Sequence, residues 1–527
     1  MSHGTRQLLW LVLRRDRFRG SLWMVGLVGL MALSASSVAA LYQTPEQLES
    51  YARTVRGNSA LIVQSGPGYG LNAPTVGAVV MNETALWLFI AVSLMSVFMV
   101  VRHTRTEEET GRAELVRAAP VGRHAALSAA MLGTLLVNVA IAVGNVAALL
   151  VAGLPVVGSM AFGASLVAIG MVFGGVGAVA AQVASSSRAA LAAGGAAVGL
   201  SFVLRAIGDV GNGVLSWASP IGWAQAIRAY ADERWWVLMV PLMATSALVA
   251  LARSLQDRRD FGSGLVEPRT GRPEATAALS TPFGLAVRLQ RGTLIGWTVG
   301  LAALAFFYGL VADQAEQIIE DNPDMADFFA QLGMGSVTDA FLSTAMLIMA
   351  LFASGFTVSS VLRLRSEEMS GRVDPVLALP ISRRRWAAGH LVVALGGTAL
   401  LALVIGVAMG AGAALVLGDV ARVAQLAAAG AVMVPAMWVL AGAAMLLDGV
   451  RPQWALATWA LVAWVFVVAM FATVLDLPQW LSNLSPFEHV PALPAAPMTW
   501  LPLVVLTAIA AVSLAAGLAA LDRRDMA

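Results

Sequence analysis

Twelve stretches of this chain are each long and apolar enough to cross a bilayer, and this constrains the structure more than any other feature of the sequence. A helix that crosses the hydrocarbon core needs about 20 predominantly apolar residues. Windows of that kind lie near 21–41, 83–101, 125–152, 160–183, 189–207 and 235–252. A second series lies near 292–312, 339–361, 387–417, 423–447, 453–475 and 499–520. In lipid a backbone must satisfy its own polar groups, and apolar runs of this length do so as helices. The expected fold is an all-α polytopic membrane protein of about twelve transmembrane helices. Composition agrees, since 58% of the 527 residues are hydrophobic and 12% are charged, against about 25% charged in soluble domains.

Arginine placement orients the spans. Loops on the cytoplasmic side are enriched in basic residues. Arg6, Arg14, Arg15, Arg17 and Arg19 precede the first span, and Arg102–Arg123, Arg188 and the run Arg253, Arg258, Arg259 occupy alternate connections. Arg288 and Arg291, Arg363–Arg385, Arg451, and Arg523 and Arg524 continue the pattern in the second half. The other connections carry acids, namely Glu46 and Glu49, then Asp313, Glu316, Glu320, Asp321, Asp324 and Asp327. Both termini are therefore expected in the cytoplasm. The start has the look of a cleavable leader, with arginines, an apolar run and "SVAA" at 37–40. Against that, the run is long enough to span, and cleavage would upset the alternation.

One charged sentence occurs twice. "RTEEETGRAELVRAAPVGR" runs from Arg105 to Arg123 and "RSEEMSGRVDPVLALPISR" from Arg365 to Arg383. The offset is constant, Gly371 matching Gly111 (371 − 111 = 260), and no gap is needed. Glu107, Glu108, Arg112, Glu114 and Pro120 meet Glu367, Glu368, Arg372, Asp374 and Pro380. "LQDRRD" (255–260) and "ALDRRD" (520–525) repeat at a slightly different offset. The sequence thus reads as two tandem six-span halves, 1–252 and 291–527, joined by a cytoplasmic linker at 253–290 rich in Gly, Pro and Arg. Two even-numbered halves insert the same way up.

The plain reading of each block is a solvated loop whose arginines set topology. That leaves unexplained the paired glutamates, the following glycine and the later proline. The preceding span is expected to continue as a helix into water, carrying Glu107 and Glu108, and to end at Gly111, because glycine accepts the left-handed conformation of helix ends. Gly371 is expected to do the same. A second short segment (Ala113–Ala119, Val373–Leu379) then closes at Pro120 or Pro380, giving a compact charged knob under each half.

The doubled "EE-x-x-G-R-x-[ED]-x-V-x-A-x-P" block, "LSWASPIGWAQAIRAYADERWW" (215–236) and the basic segment before the first span of each half together resemble the integral membrane permeases of ABC-2-type exporters. The likeness is to the large fused bacterial permeases of polyketide antibiotic and multidrug export. It implies two tandem six-helix repeats of type V exporter kind. It also implies a coupling helix in each loop, about 103–123 and 363–385, resting on a separately encoded ABC ATPase in two copies. By resemblance Glu107, Glu108, Gly111 and Arg112 belong to one coupling element, and Glu367, Glu368, Gly371 and Arg372 to the other. The segment before the last span is implied to dip into the membrane from outside, although "SPFEHVPALPAAPMTW" (485–500) departs from that pattern in the second half.

The energy source is expected to lie outside the chain. A Walker A loop needs a lysine to reach the phosphates, and the chain contains no lysine. Glycine-rich "VFGGVGAV" (172–179) and "GGAAVG" (194–199) lie within spans and fit close helix packing instead. No ionisable residue is read near the middle of a span, where ion-coupled carriers keep one. Glu83, Asp209, Asp339, Asp419 and Arg422 fall at outer ends, and His390 and Asp448 at inner ends. No catalytic residue, metal site or cofactor is expected on the chain, ATP and Mg being handled by the partner. The absence of cysteine removes disulfides and thiolate chemistry, and a net charge of +2 gives no reason to expect nucleic acid.

A path without midplane charge suits an amphiphilic or hydrophobic compound. Asn138 and Asn145, seven apart on the third span, share a face and are candidates to line it, with Phe306 and Phe307 as a greasy wall. Hydrogen bonding to a neighbouring helix and contact with membrane lipids are the alternatives. An ion-coupled secondary drug efflux carrier with two six-span halves is the competing functional reading. A membrane enzyme lacks any His/Asp/Glu cluster of catalytic spacing.

Overall fold

The computed structural model describes residues 4–56, 59–266, 274–313, 336–471 and 477–524. Among them, twelve helices are long and apolar enough to cross a membrane. They are α1 (Thr5–Leu41), α2 (Val76–Glu109), α3 (Ala125–Val151), α4 (Val156–Val183), α5 (Ser187–Val210) and α6 (Trp235–Arg258), followed by α7 (Pro282–Leu310), α8 (Val337–Met369), α9 (Arg383–Leu417), α10 (Ala421–Val450), α11 (Pro452–Ala469) and α12 (Trp500–Arg523). No strand forms among the described residues. The chain falls into two compact units, Met1–Thr270 and Gly271–Ala527, with six of these helices in each. Of the expected acidic run between α7 and α8, Asp313 is described, while Glu316, Glu320, Asp321, Asp324 and Asp327 lie outside the described residues, as does 267–273 of the expected linker.

In the first unit α2 and α4 are the most buried helices, and α6 is the least. Small residues let them approach. A Cβ on Gly177 of α4 would lie 3.2 Å from the Val97 backbone of α2, and one on Gly175 would lie 2.9 Å from Leu248 of α6. The glycine-rich stretch of the fourth span is thus a packing surface, as small residues are where helices meet in lipid. In the second unit α8 and α10 are the most buried, and Gly449 of α10 faces Gly517 of α12 so closely that a Cβ would stand 2.3 Å from the opposing carbonyl oxygen.

At one end of the first unit the start of α1, the loop after α2 and the end of α6 come together. Arg15 of α1 meets Glu107, and Arg123 donates to the Gln256 carbonyl at 2.9 Å. In the second unit the loop after α8 and the end of α12 meet likewise, Arg383 donating to the Arg524 carbonyl at 2.7 Å.

Candidate functional site

Each charged block is built as the sequence suggests along its backbone. Helix α2 runs to Glu109 and α8 to Met369. Gly111 and Gly371 then turn left-handed, with φ of +70° and +66°. The Gly371 and Arg372 amides donate to the Glu368 and Glu367 carbonyls at 2.9 and 3.1 Å, satisfying groups that a helix end leaves open. Short helices follow at Arg112–Arg117 and Asp374–Leu377.

The glutamates depart from expectation. They do not project into water but turn into their own unit. Glu108 lies 2.5 Å from Arg259 at the end of α6 and 3.0 Å from Arg105. Glu368 receives both terminal nitrogens of Arg524, just beyond α12, at 2.7 and 2.6 Å. Glu367 is buried against Arg363 at 2.6 Å, with Arg372 at 3.5 Å. Glu107 binds Arg15 at 2.5 Å, with Arg112 at 3.9 Å. The physical reason is that carboxylates at this depth leave water only when paired, and the "DRRD" arginines at the end of each last helix arrive beside them. Burial alone would lower the Arg524 pKa, but the Glu368 carboxylate outweighs it and holds the guanidinium above its ordinary value.

Three further residues complete the fastening, and none was singled out by sequence. Arg105 is wholly buried and donates to the carbonyls of Ser185, Gly262 and Ser263 at 2.6, 3.0 and 2.7 Å. Its counterpart Arg365 donates to the Pro452 carbonyl. Glu109 accepts from the Ser187 amide at the start of α5, at 2.8 Å, where a carboxylate complements the helix dipole. The tips remain exposed. Leu115 is 78% exposed, Leu379 57%, and Arg112, Glu114, Pro120, Arg372, Asp374 and Pro380 also face outward. Each knob therefore presents an apolar tip flanked by charge and is clamped at its base.

Residues 279–521 match the family model described as the multidrug efflux system permease Rv1217c, C-terminal domain. Across 99% of its length the chain is 39% identical to the multidrug efflux system permease protein Rv1217c of Mycobacterium tuberculosis, covering 95% of that protein. The chain belongs to the multidrug efflux permeases of ABC-type exporters.

The remaining candidate residues of this permease lie on α3 and α7. Asn138 and Asn145 are sealed inside the first unit. Asn138 donates to Ser96 of α2 at 3.1 Å, and Asn145 donates to the Ile141 carbonyl at 2.8 Å. Phe306 is exposed and Phe307 half-buried on α7. One charge inside a span was overlooked. Arg205 of α5 is fully buried, 3.3 Å from Asp209, and donates to the carbonyls of Ile62 and Val63 at 3.2 and 2.6 Å.

At the opposite end of the first unit, the segment before α6 forms short helices at Leu215–Ala218 and Pro220–Ala226, then a strained turn. Arg228, Tyr230 and Asp232 all have positive φ, of 57°, 61° and 57°, which is unusual for bulky residues. Tyr230 is held by glycines that clear its ring. A Cβ on Gly158 would stand 2.2 Å from it, and one on Gly77 2.7 Å. Its hydroxyl meets that of Ser159 at 2.6 Å. Burial pushes the Tyr230 phenol up to about 12. Arg228 lies over the Tyr69 ring at 4.4 Å.

Proposed function

We propose that this permease is the membrane-spanning subunit of an ATP-driven exporter that moves amphiphilic or hydrophobic compounds, such as antibiotics, drugs or lipid-like molecules, out of a bacterial cell. ATP and Mg belong to a separately encoded ABC ATPase, two copies of which seat on the loops at about 103–123 and 363–385. Both termini and both loops face the cytoplasm of the plasma membrane. The chain itself is a transporter component with no ATPase site.

The observation that carries this reading is the fastening of each loop to other helices of its own unit, at three places in the first and at two in the second, where Glu368 reaches Arg524 and Arg365 reaches Pro452. In the first unit Glu108 reaches the end of α6, Arg105 the turn before α5, and Glu107 the start of α1. A push on a loop held only by flexible chain would dissipate. A push on an exposed tip with a clamped base moves the helices to which the base is clamped. The inward turn of the glutamates supports a division of roles within each loop. The tips around Leu115 and Leu379, with Arg112, Glu114, Arg372 and Asp374, form the contact, whereas Glu108 and Glu368 transmit it.

Reconstitution decides the matter. The chain alone in proteoliposomes should neither hydrolyse ATP nor move a dye, and adding its cognate ATPase should give both. Dye accumulation by the chain alone under a pH gradient would overturn the proposal and favour an ion-coupled carrier.

A further inference from the structure

The two loops are alike, but the spaces behind them are not. Behind the second loop Trp386 is 2% exposed in an apolar cluster with Leu364 and Val373, against which Val376 and Ile381 pack. Its ring stands edge-on to His390, with centroids 5.6 Å apart. The offset that aligns the loops (371 − 111 = 260) carries Trp386 onto Ala126, Leu364 onto Thr104, Val373 onto Ala113, Ile381 onto Val121 and Val376 onto Val116. All five first-half residues line a cavity of about 300 Å³. Four of the five pairs lose side-chain carbon in the first half, and an indole shrinks to a methyl. Leu127, which faces the same cavity where the second half has Ala387, runs the other way and does not fill it. Helix approach differs too. A Cβ on Gly389 would meet the Pro282 backbone at 3.0 Å, whereas its counterpart Ala129 lines the cavity.

We infer that this cavity binds a small amphiphile that carries no negative charge. Its size matches the lower end of ligand pockets, which are typically mostly apolar with a few polar groups. Leu8, Leu11 and Val12 of α1 supply an apolar wall. The arginines at the rim already have partners, Arg15 with Glu107 at 2.5 Å, Arg259 with Glu108 at 2.5 Å and Arg123 with Asp257 at 3.1 Å. An anionic ligand would have to break one of these pairs to find a cation, and a neutral one breaks none. The Thr104 hydroxyl donates to the Val100 carbonyl and keeps lone pairs for a donor on the ligand. Because Ala113 and Val116 belong to the loop, occupancy stiffens the knob. That consequence rests on the coupling reading, while binding itself does not.

The test uses the full chain in lipid nanodiscs and a diazirine-bearing octanol as probe. Photolabelling and peptide mapping should place saturable adducts on residues lining the cavity in α1 and between Ala113 and Ala126. Filling the space with Ala126→Trp should lower those adducts by about tenfold, the loss of roughly 1.4 kcal/mol of binding, while labelling of α12 stays unchanged. The chain has no cysteine, so Ala126→Cys introduces a single thiol and adds only one sulfur atom of bulk. That thiol should react with N-ethylmaleimide and be protected by excess octanol, a readout that survives if the tryptophan variant misfolds. Adducts that do not saturate, adducts that persist in A126W, or a thiol without protection overturn the site. ATP plays no part in these assays. Their failure leaves the transport proposal standing, and failed ATP-driven transport with intact labelling leaves the site standing.

Discussion

The Arg524 guanidinium holds both oxygens of the Glu368 carboxylate, at 2.7 and 2.6 Å, across 156 residues of chain. In the first unit Arg259 grips one oxygen of Glu108 at 2.5 Å, and Arg105 takes the other at 3.0 Å. Each charged loop is thereby joined to the end of the last helix of its unit.

Removing one partner of a buried ion pair costs about 3–5 kcal/mol, because the other is left uncompensated. Arg524→Ala and Arg259→Ala should therefore loosen the loops. Trypsin should cleave after Arg112 or Arg372 faster than in the parent chain, and coupled transport should fall. The exchange E368R/R524E restores the pair and should recover much of the protection. Unchanged cleavage in R524A would show that the clamp is unnecessary.

The exposed tips should govern assembly. Leu115→Asp and Leu379→Asp replace outward apolar contacts with charge, and together they should reduce co-purification of the ATPase by about tenfold, equivalent to about 1.4 kcal/mol. Glu108→Gln keeps the shape of an inward-facing group and should retain the ATPase while weakening transport. Equal retention in both sets, measured by pull-down from detergent extracts, would remove the tips from the interface.

At the far end of the first unit, Gly158→Ala places a methyl where the Tyr230 ring stands. Overpacking of this kind costs about 1–3 kcal/mol, and thermal unfolding followed by tryptophan fluorescence should show it. Tyr230→Phe loses only the hydrogen bond to Ser159 and should cost about 1 kcal/mol. A larger loss in Y230F than in G158A would reverse the assignment of what holds the turn.

Arg205→Met leaves Asp209 with only the Ser216 hydroxyl as a partner and frees the Ile62 and Val63 carbonyls, and it should lower stability by about 3–5 kcal/mol. Arg205→Lys should recover little, since an ammonium lacks the planar fork that reaches both carbonyls. R205M/D209N should recover more than R205K, as measured by the same unfolding assay.

Much of this was legible in the sequence, for physical reasons that can be named. Span length and hydropathy locate the twelve helices because lipid permits little else. Gly111 and Gly371 announce helix ends because their backbone conformation suits glycine. The inward turn of Glu108 was hidden because its partner, Arg259, lies 151 residues away. A signal was nonetheless present, since "DRRD" repeats wherever the paired glutamates do. Glu109 escaped notice because Met369 stands at the matching place, and a search guided by the internal likeness passes over whatever only one half contains. The positive φ of Tyr230 has no local mark. Its explanation sits in Gly77 and Gly158, on other helices.

Trp386 and Ala126 occupy corresponding places, one filling its surroundings and the other leaving them hollow. Two identical chains paired as a homodimer could not differ in this way, because any substitution would alter both sides at once. Joining the halves in one polypeptide lets selection tune them separately, so that one can keep a solid interior while the other becomes a receptacle.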